Sequence, residues 1–373
     1  MLLSGPIPEE IGYLRFLTDV RLYDNSLNGS IPAALGNLTN LLHLYLYDNH
    51  LSGPIPEEIG YLRFLTDLQL YNNSLNGSIH ASLGNLNNLS VLYLDDLGRN
   101  NLKGAISTMF WQYEWSSEVL DMQHNNLSGT LPMTFRAGTF RSFNMHGNKL
   151  KGKIPQSLAN CKEMQVLDLG DNRLNDRFPM WLGTLPELRV LSLRSNKLHG
   201  PLRTLGSKNM FLELQFGSLN LSHNMLTSVD LSPFQSLETI DLRSNSLQGS
   251  LPIPPNSTRF FFISENNLHG EIPSSICNLT SLVILDLARN NLKGAILQCL
   301  GNISSLRVLD MYHNSLTGTL PTTFRFGSSL RSLNLHGNKL EGKIVGNKPA
   351  TEIIFAVIKA IKAEHNNTVN QQE

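Results

Sequence analysis

The motif L-x-x-L-x-L-x-x-N-x-L returns along nearly the whole chain, each copy anchored by one asparagine: Asn25, Asn49, Asn73, Asn100, Asn125, Asn148, Asn172, Asn196, Asn224, Asn245, Asn266, Asn290, Asn314 and Asn338. Successive anchors lie 21 to 28 residues apart, most often 24. A unit this short cannot bury its own apolar face, so the copies must stack and share one continuous core. A chain of 373 residues would otherwise suggest two or three globules; the repeat makes residues 1–344 one solenoid of about fourteen coils.

Within a coil, Leu17, Val20 and Leu22 alternate with Asp19, Arg21 and Tyr23, the period-two pattern of a short strand with one buried face. Stacked coils place such strands side by side in parallel, and the rest of each coil supplies the connection. The asparagine amide carries both an acceptor and donors, enough to satisfy backbone groups where the chain turns inward. After it comes Leu27-Asn28-Gly29-Ser30-Ile31-Pro32, repeated as Leu268-His269-Gly270-Glu271-Ile272-Pro273. Glycine allows a tight path there, and proline sets φ and withholds a donor. Runs such as Leu-Gly-Asn-Leu then close the coil as short helical or 3-10 turns. The expected fold is an α/β solenoid, a curved right-handed superhelix with a parallel sheet on its concave face and those turns outside.

Residues 3–50 and 51–98 are near copies at an offset of 48, and residues 119–154 match 308–344. The second pair parts where Ile154 continues into Pro155 and Gln156 while Ile344 enters Val345-Gly346-Asn347-Lys348-Pro349. In the non-repeat tail, residues 345–373, Ile354, Val357, Ile358 and Ile361 have helical spacing, predicting an amphipathic helix over 351–363 that covers the last coil. The expectation is a truncated or rearranged piece of a longer ectodomain.

Thirty basic and thirty acidic residues cancel, which argues against nucleic acid or an anionic membrane as partner. The opening Met1-Leu2-Leu3-Ser4-Gly5-Pro6 reads as the second half of a repeat and not as the basic and apolar stretch of a secretion signal, and no apolar run in this sequence is long enough to span a bilayer. Cys161, Cys277 and Cys299 suit small apolar coil positions and lack zinc-site spacing; Cys277 and Cys299, on neighbouring coils, are also placed for a bridge. Gly147–Lys153 and its copy Gly337–Lys343 imitate a phosphate loop but offer Ile154 and Ile344 where a hydroxyl is needed. His124, His223 and His313 precede anchors, and His146 and His336 lie one position earlier; all read as solvated repeat positions with no nucleophile beside them. No catalytic, metal or cofactor site is expected.

The Leu-x-Gly-x-Ile-Pro extension marks the plant-specific leucine-rich repeat class. Within it, Met164-Gln165-Val166-Leu167-Asp168-Leu169-Gly170-Asp171-Asn172-Arg173-Leu174-Asn175-Asp176 and Phe178-Pro179-Met180-Trp181-Leu182-Gly183 resemble the ectodomains of plant receptor-like proteins of the tomato leaf-mould resistance type. The resemblance implies extracellular or cell-surface recognition in defence or development, a single membrane anchor and signalling through a receptor kinase co-receptor. The alternative is a secreted inhibitor of a microbial cell-wall-degrading enzyme, of the polygalacturonase-inhibiting type. Asn-x-Ser/Thr sequons at Asn28, Asn37, Asn72, Asn76, Asn88, Asn126, Asn220, Asn256, Asn278, Asn302 and Asn366 fit a secreted glycoprotein.

For a protein or peptide ligand, the solvent-facing strand positions are the place to look, being rigid and free of core duty. One column holds Tyr23, Tyr47 and Tyr71, with Arg21, Tyr45 and Tyr93 beside it. Tyrosine brings contact area at small entropic cost, although a copied, mutually covering ring explains the same column. Asp121, Asp168, Asp241, Asp286 and Asp310 share the central column, with Arg194, Arg243, Arg289 and Tyr312 close by. Phe262 is expected to stand on the same surface, and the longer coils carrying residues 95–99 and 203–215 are candidate contact loops.

Overall fold

The computed structural model describes residues 2–95, 100–107, 118–135, 140–202, 216–324 and 328–341. The tail with its expected helix 351–363, Asn366 and most of both longer loops lie outside the described residues. The chain divides into two compact units, Met1–Gly200 with Thr204–Asn224, and Pro201–Arg203 with Met225–Glu373.

In the first unit the main sheet is parallel and follows chain order through Asp19–Arg21, His43–Tyr45, Asp67–Gln69, Val91–Tyr93, Val119–Asp121, Ser142–Asn144, Val166–Asp168, Val190–Ser192 and Ser218–Asn220. Its register is one coil per step, with Val20 opposite Leu44 and Leu44 opposite Leu68. The central residue of each strand is buried, and so, in every coil after the first, is the leucine or methionine two positions later, so the inward half of the period-two pattern forms the core. The second unit repeats this with Thr239–Asp241, Phe260–Phe262, Ile284–Asp286, Val308–Asp310 and Ser332–Asn334.

The sequence reading missed a second parallel sheet, built from the Leu-x-Gly-x segment itself. In the first unit it has eight strands, from Ser4–Pro6 and Ser26–Ser30 to Arg173–Leu174; the second unit has its own of five. Gly29, at φ +77°, shows why glycine recurs, because a side chain is strained in that conformation. The coil then closes through a 3-10 turn such as Ala33–Asn37, entered from an extended Pro32 whose carbonyl accepts the Leu35 N–H at 3.1 Å. These turns stack closely: a Cβ on Gly36 would come within 2.6 Å of Glu58 in the next coil.

Each anchor asparagine ties its coil to the one before it. Asn49 Oδ1 accepts the Leu27 N–H at 3.0 Å, and its Nδ2 donates to Leu22 O at 2.9 Å in the preceding coil and to Leu46 and Tyr47 carbonyls in its own. The residue before the anchor is left-handed in coil after coil, at Asp24, Asp48, Asn72, His124, Asp171, His223 and His313 among others. Asn, Asp and His tolerate that region better than most side chains, which gives the recurrent histidines a conformational reason.

Cys277 and Cys299 form a disulfide with Cα atoms 5.7 Å apart, so they are more than apolar filler; Cys161 is a buried thiol. The bridge joins the turns Ser274–Asn278 and Gln298–Asn302 of neighbouring coils. Because the closed loop is short and its coils already pack, replacing both cysteines with serine is expected to lower stability by about 2 kcal/mol. Chemical denaturation of the two forms checks this, and identical midpoints would remove the bridge from the stabilising contacts.

Candidate recognition surface

The tyrosine column is a stack. Tyr23 and Tyr47 have ring centroids 4.5 Å apart at 11°, and Tyr47 and Tyr71 repeat this at 4.5 Å and 10°. Coil spacing near 4.8 Å sets this geometry, since it lies in the range of about 4.5–7 Å between the centroids of offset-stacked aromatic pairs. Tyr45 leans against both Tyr23 and Tyr47, while Tyr93 meets Tyr71 edge-on. Around the rings, Tyr45 donates to Asp67 Oδ2 at 2.8 Å, Arg21 pairs with Asp19 at 3.0 Å and lies over the Tyr45 ring, and His43 Nδ1 is 2.8 Å from the same Asp19 oxygen. Burial and the Asp67 carboxylate push the Tyr45 phenol up to about 12, and burial also raises Tyr47 and Tyr71. Asp19 is lowered by His43, Thr18 and Arg21. These phenols stay neutral at physiological pH and present hydroxyls beside a surface of fixed ion pairs.

A second cluster in the first unit corrects the reading of His146 as a solvated position. Its side chain is only 6% exposed. Nε2 lies 3.0 Å from Asp171 Oδ2, Nδ1 lies 3.4 Å from Asp168 Oδ1, and Arg194 Nη2 is 3.0 Å from Asp171 Oδ2. Burial disfavours the imidazolium, but Asp168 and Asp171 outweigh it and hold His146 up to about 9. Asp171 is held well below the usual carboxylate range, with His146, Ser195 and Arg194 overcoming its burial.

His146 is easier to protonate in the folded than in the unfolded chain. Its contribution to stability is therefore complete below about 6.5 and lost as pH rises through about 9. Asp171, being depressed, contributes above about 3.8 and loses its effect only as pH falls further. We expect stability to decline between pH 6.5 and 9, and His146→Asn to flatten that slope. Thermal melts across the range test this; an unchanged slope in the variant would rule out His146 as its source.

In the second unit Arg243 chelates Asp241, with Nε 2.9 Å from Oδ1, and its guanidinium lies 4.9 Å from the centre of the Phe262 ring. Burial opposes the Arg243 charge, yet Asp241 raises its pKa further. Phe262 is half-buried under that arginine instead of standing exposed. Asp286 accepts from Ser264 Oγ at 2.7 Å, and burial, helped by Asp310, pushes it up to about 6. Arg289 lies over Tyr312, which stacks on His336 at 5.6 Å.

The central acidic column has a structural task that the sequence reading did not identify. Asp121, Asp168, Asp241, Asp286 and Asp310 each accept, through a side-chain oxygen, the backbone N–H two residues on. Asn144, Asn220 and Asn334 do the same, so the column caps the end of each strand. Asp121 and Asp241 are buried, a correction to their expected place on the open face. The sequons divide similarly: Asn28, Asn37, Asn76, Asn88, Asn256, Asn278 and Asn302 are exposed, whereas Asn72, Asn126 and Asn220 are half-buried.

Among the described residues no His, Cys, Asp and Glu group has the makings of a metal site, and no helix is long and apolar enough to cross a membrane. The surface is thus one of rings, hydroxyls and ion pairs on a regular scaffold.

The leucine-rich repeat region profile matches residues 4–244, and leucine rich repeat profiles match 236–257, 257–279 and 280–340. The chain belongs to the leucine-rich repeat family. The likeness to plant receptor-like proteins also holds. The chain is 59% identical over 92 residues to the Receptor-like protein Cf-9 homolog of Solanum lycopersicum, covering 24% of this chain and 11% of that protein. It is 49% identical over 75 residues to Receptor-like protein 7 of Arabidopsis thaliana, covering 19% and 8%. The chain therefore matches only about a tenth of these relatives' lengths. Similar solved structures include PEPR1-AtPEP1 (TM-score 0.75, 31% identity, 92% of this chain and 51% of that one). The plant peptide hormone receptor RGFR1 in complex with RGF2 is another (TM-score 0.72, 30% identity, 91% and 62%).

Proposed function

We propose that this chain is a non-catalytic recognition module of a plant receptor-like protein, binding an extracellular peptide or protein through the solvent-facing side of its main sheet. The observation that carries the reading is the tyrosine row Tyr23, Tyr47 and Tyr71 with Tyr45, Arg21 and Asp67 beside it. No core or capping duty requires tyrosine there, and the stacked rings are ordered before any ligand arrives, so little entropy is lost on binding. The similarity to peptide-bound plant receptors supports the same class of partner. A receptor kinase co-receptor, a cell-surface location and a role in defence or development belong to this proposal through the receptor-like relatives.

The test is a binding screen of the secreted full chain against fractionated plant apoplastic peptides and microbial culture filtrates, with receptor kinase ectodomains as second analyte. Saturable binding that the tyrosine substitutions weaken supports the reading. Inhibition of a microbial polygalacturonase with no peptide binding would favour the inhibitor instead.

A further inference from the structure

The most exposed aromatics lie at the ends of the 3-10 turns Glu9–Tyr13 and Glu57–Tyr61 and in the short turns just after them, away from the tyrosine stack. Tyr13 is 78% and Phe16 94% exposed in the first coil, and Tyr61 is 54% and Phe64 56% exposed in the third. The coil between them carries asparagine at both equivalent positions, Asn37 and Asn40. Asn40 Nδ2 donates to Arg15 O at 3.0 Å, beside Phe16. Asn37 ends the turn Ala33–Asn37, is exposed, and opens the sequon Asn37-Leu38-Thr39. The three turns are in close contact, since a Cβ on Gly12 would come within 2.6 Å of Ala34, and one on Gly36 within 2.6 Å of Glu58. Asn37 is thus in line with Tyr13 on one side and Tyr61 on the other.

We propose that Asn37 carries an N-linked glycan whose first sugars lie between these two ring pairs, covering Tyr13 and Phe16 on one flank and Tyr61 and Phe64 on the other. A pyranose has an apolar C–H face and a rim of hydroxyls. Laid against a ring, it removes apolar surface from water while the rim stays solvated. The turns of the three coils pack directly on one another, so a ring pair flanks each side of the turn that bears the first sugars. Two exposed ring pairs on nearby turns are otherwise an unusual concentration of apolar surface for a secreted chain. The inference rests on the extracellular reading above.

The experiment uses the full chain secreted from insect cells. Glycopeptide mass mapping is expected to find Asn37 occupied. Under native conditions an endoglycosidase should release its glycan several-fold more slowly than the one at Asn256. The double variant Phe16→Ser, Phe64→Ser should abolish that difference, and Asn37→Gln should lower Tm and raise binding of a hydrophobic dye in the parent but not in the ring variant. An unoccupied Asn37 beside occupied Asn28 or Asn256, or equal release rates with and without the rings, overturns this inference alone. So does self-association through the rings that persists in the glycosylated chain. Finding no sequon occupied overturns it together with the extracellular reading.

Discussion

Replacing Asn73 with alanine is expected to cost about 3–4 kcal/mol of stability, because the change strands several buried backbone groups at once. Asn73 is fully buried. Its Oδ1 accepts the Leu51 N–H at 3.0 Å, and its Nδ2 donates to the carbonyls of Leu46 at 2.9 Å and of Leu70 and Tyr71 at 3.2 Å. Alanine supplies none of these contacts. A single loss of this size is a large share of the roughly 5–15 kcal/mol that holds a domain folded. The exposed Asn87 provides the control, since Asn87→Ala should stay within about 0.5 kcal/mol of the parent. Urea denaturation of the three proteins decides the matter, and equal midpoints would mean that the anchors recur for another reason.

The second large effect concerns recognition. Changing Tyr23, Tyr47 and Tyr71 together to alanine should weaken binding of the cognate ligand about 100-fold, or roughly 3 kcal/mol, the scale expected when an aromatic anchor cluster is removed. The parallel change to phenylalanine keeps the stacked faces and removes only the hydroxyls, so its loss should be smaller. Because the stack lies on the solvent side of the sheet, the alanine variant should keep a cooperative melt. Calorimetric titration gives the affinity. Unchanged binding in a folded alanine variant would remove the column from the contact surface and leave its rings with a packing role only.

The two predictions bear on different parts of the repeat, and the sequence spoke to them unequally. The coil, the parallel main sheet and the anchor role were legible, because Leu, Val and Asn at fixed offsets leave one way to stack. The second sheet was not. Its segment alternates weakly, and Gly29 and its equivalents read as a turn until their positive φ is seen to sit inside a strand. The burial of His146 was also hidden, since period-two patterning assigns it to the open face. What encloses it are Asp168, Asp171 and Arg194, which belong to the next two coils. Aligning columns across coils, not along one strand, is the signal that finds it. The acidic column taught the converse: Asp121 and Asp241 looked free to meet a ligand, yet each carboxylate is occupied by the backbone N–H two residues on. The tyrosines were easier to place, because their spacing equals the coil period and puts their rings in one stacked column.

The anchor ladder has a direction. Asn49 reaches back to Leu27 and Leu22, Asn73 back to Leu51 and Leu46, and Asn148 back to Leu127 and Met122. A coil's own asparagine bonds its inner carbonyls, but the inner N–H of Leu27, Leu51 or Leu127 waits for the asparagine of the successor. During synthesis, which runs from the N-terminus, each newly emerged coil completes the one made just before it, and only the most recent coil is left open. Loss from the C-terminal side strips acceptors and donors from the coil beneath, whereas loss from the N-terminal side leaves the next asparagine still bonded to its own carbonyls. In its asparagine bonds, the array grows and frays like a zipper with a single working end.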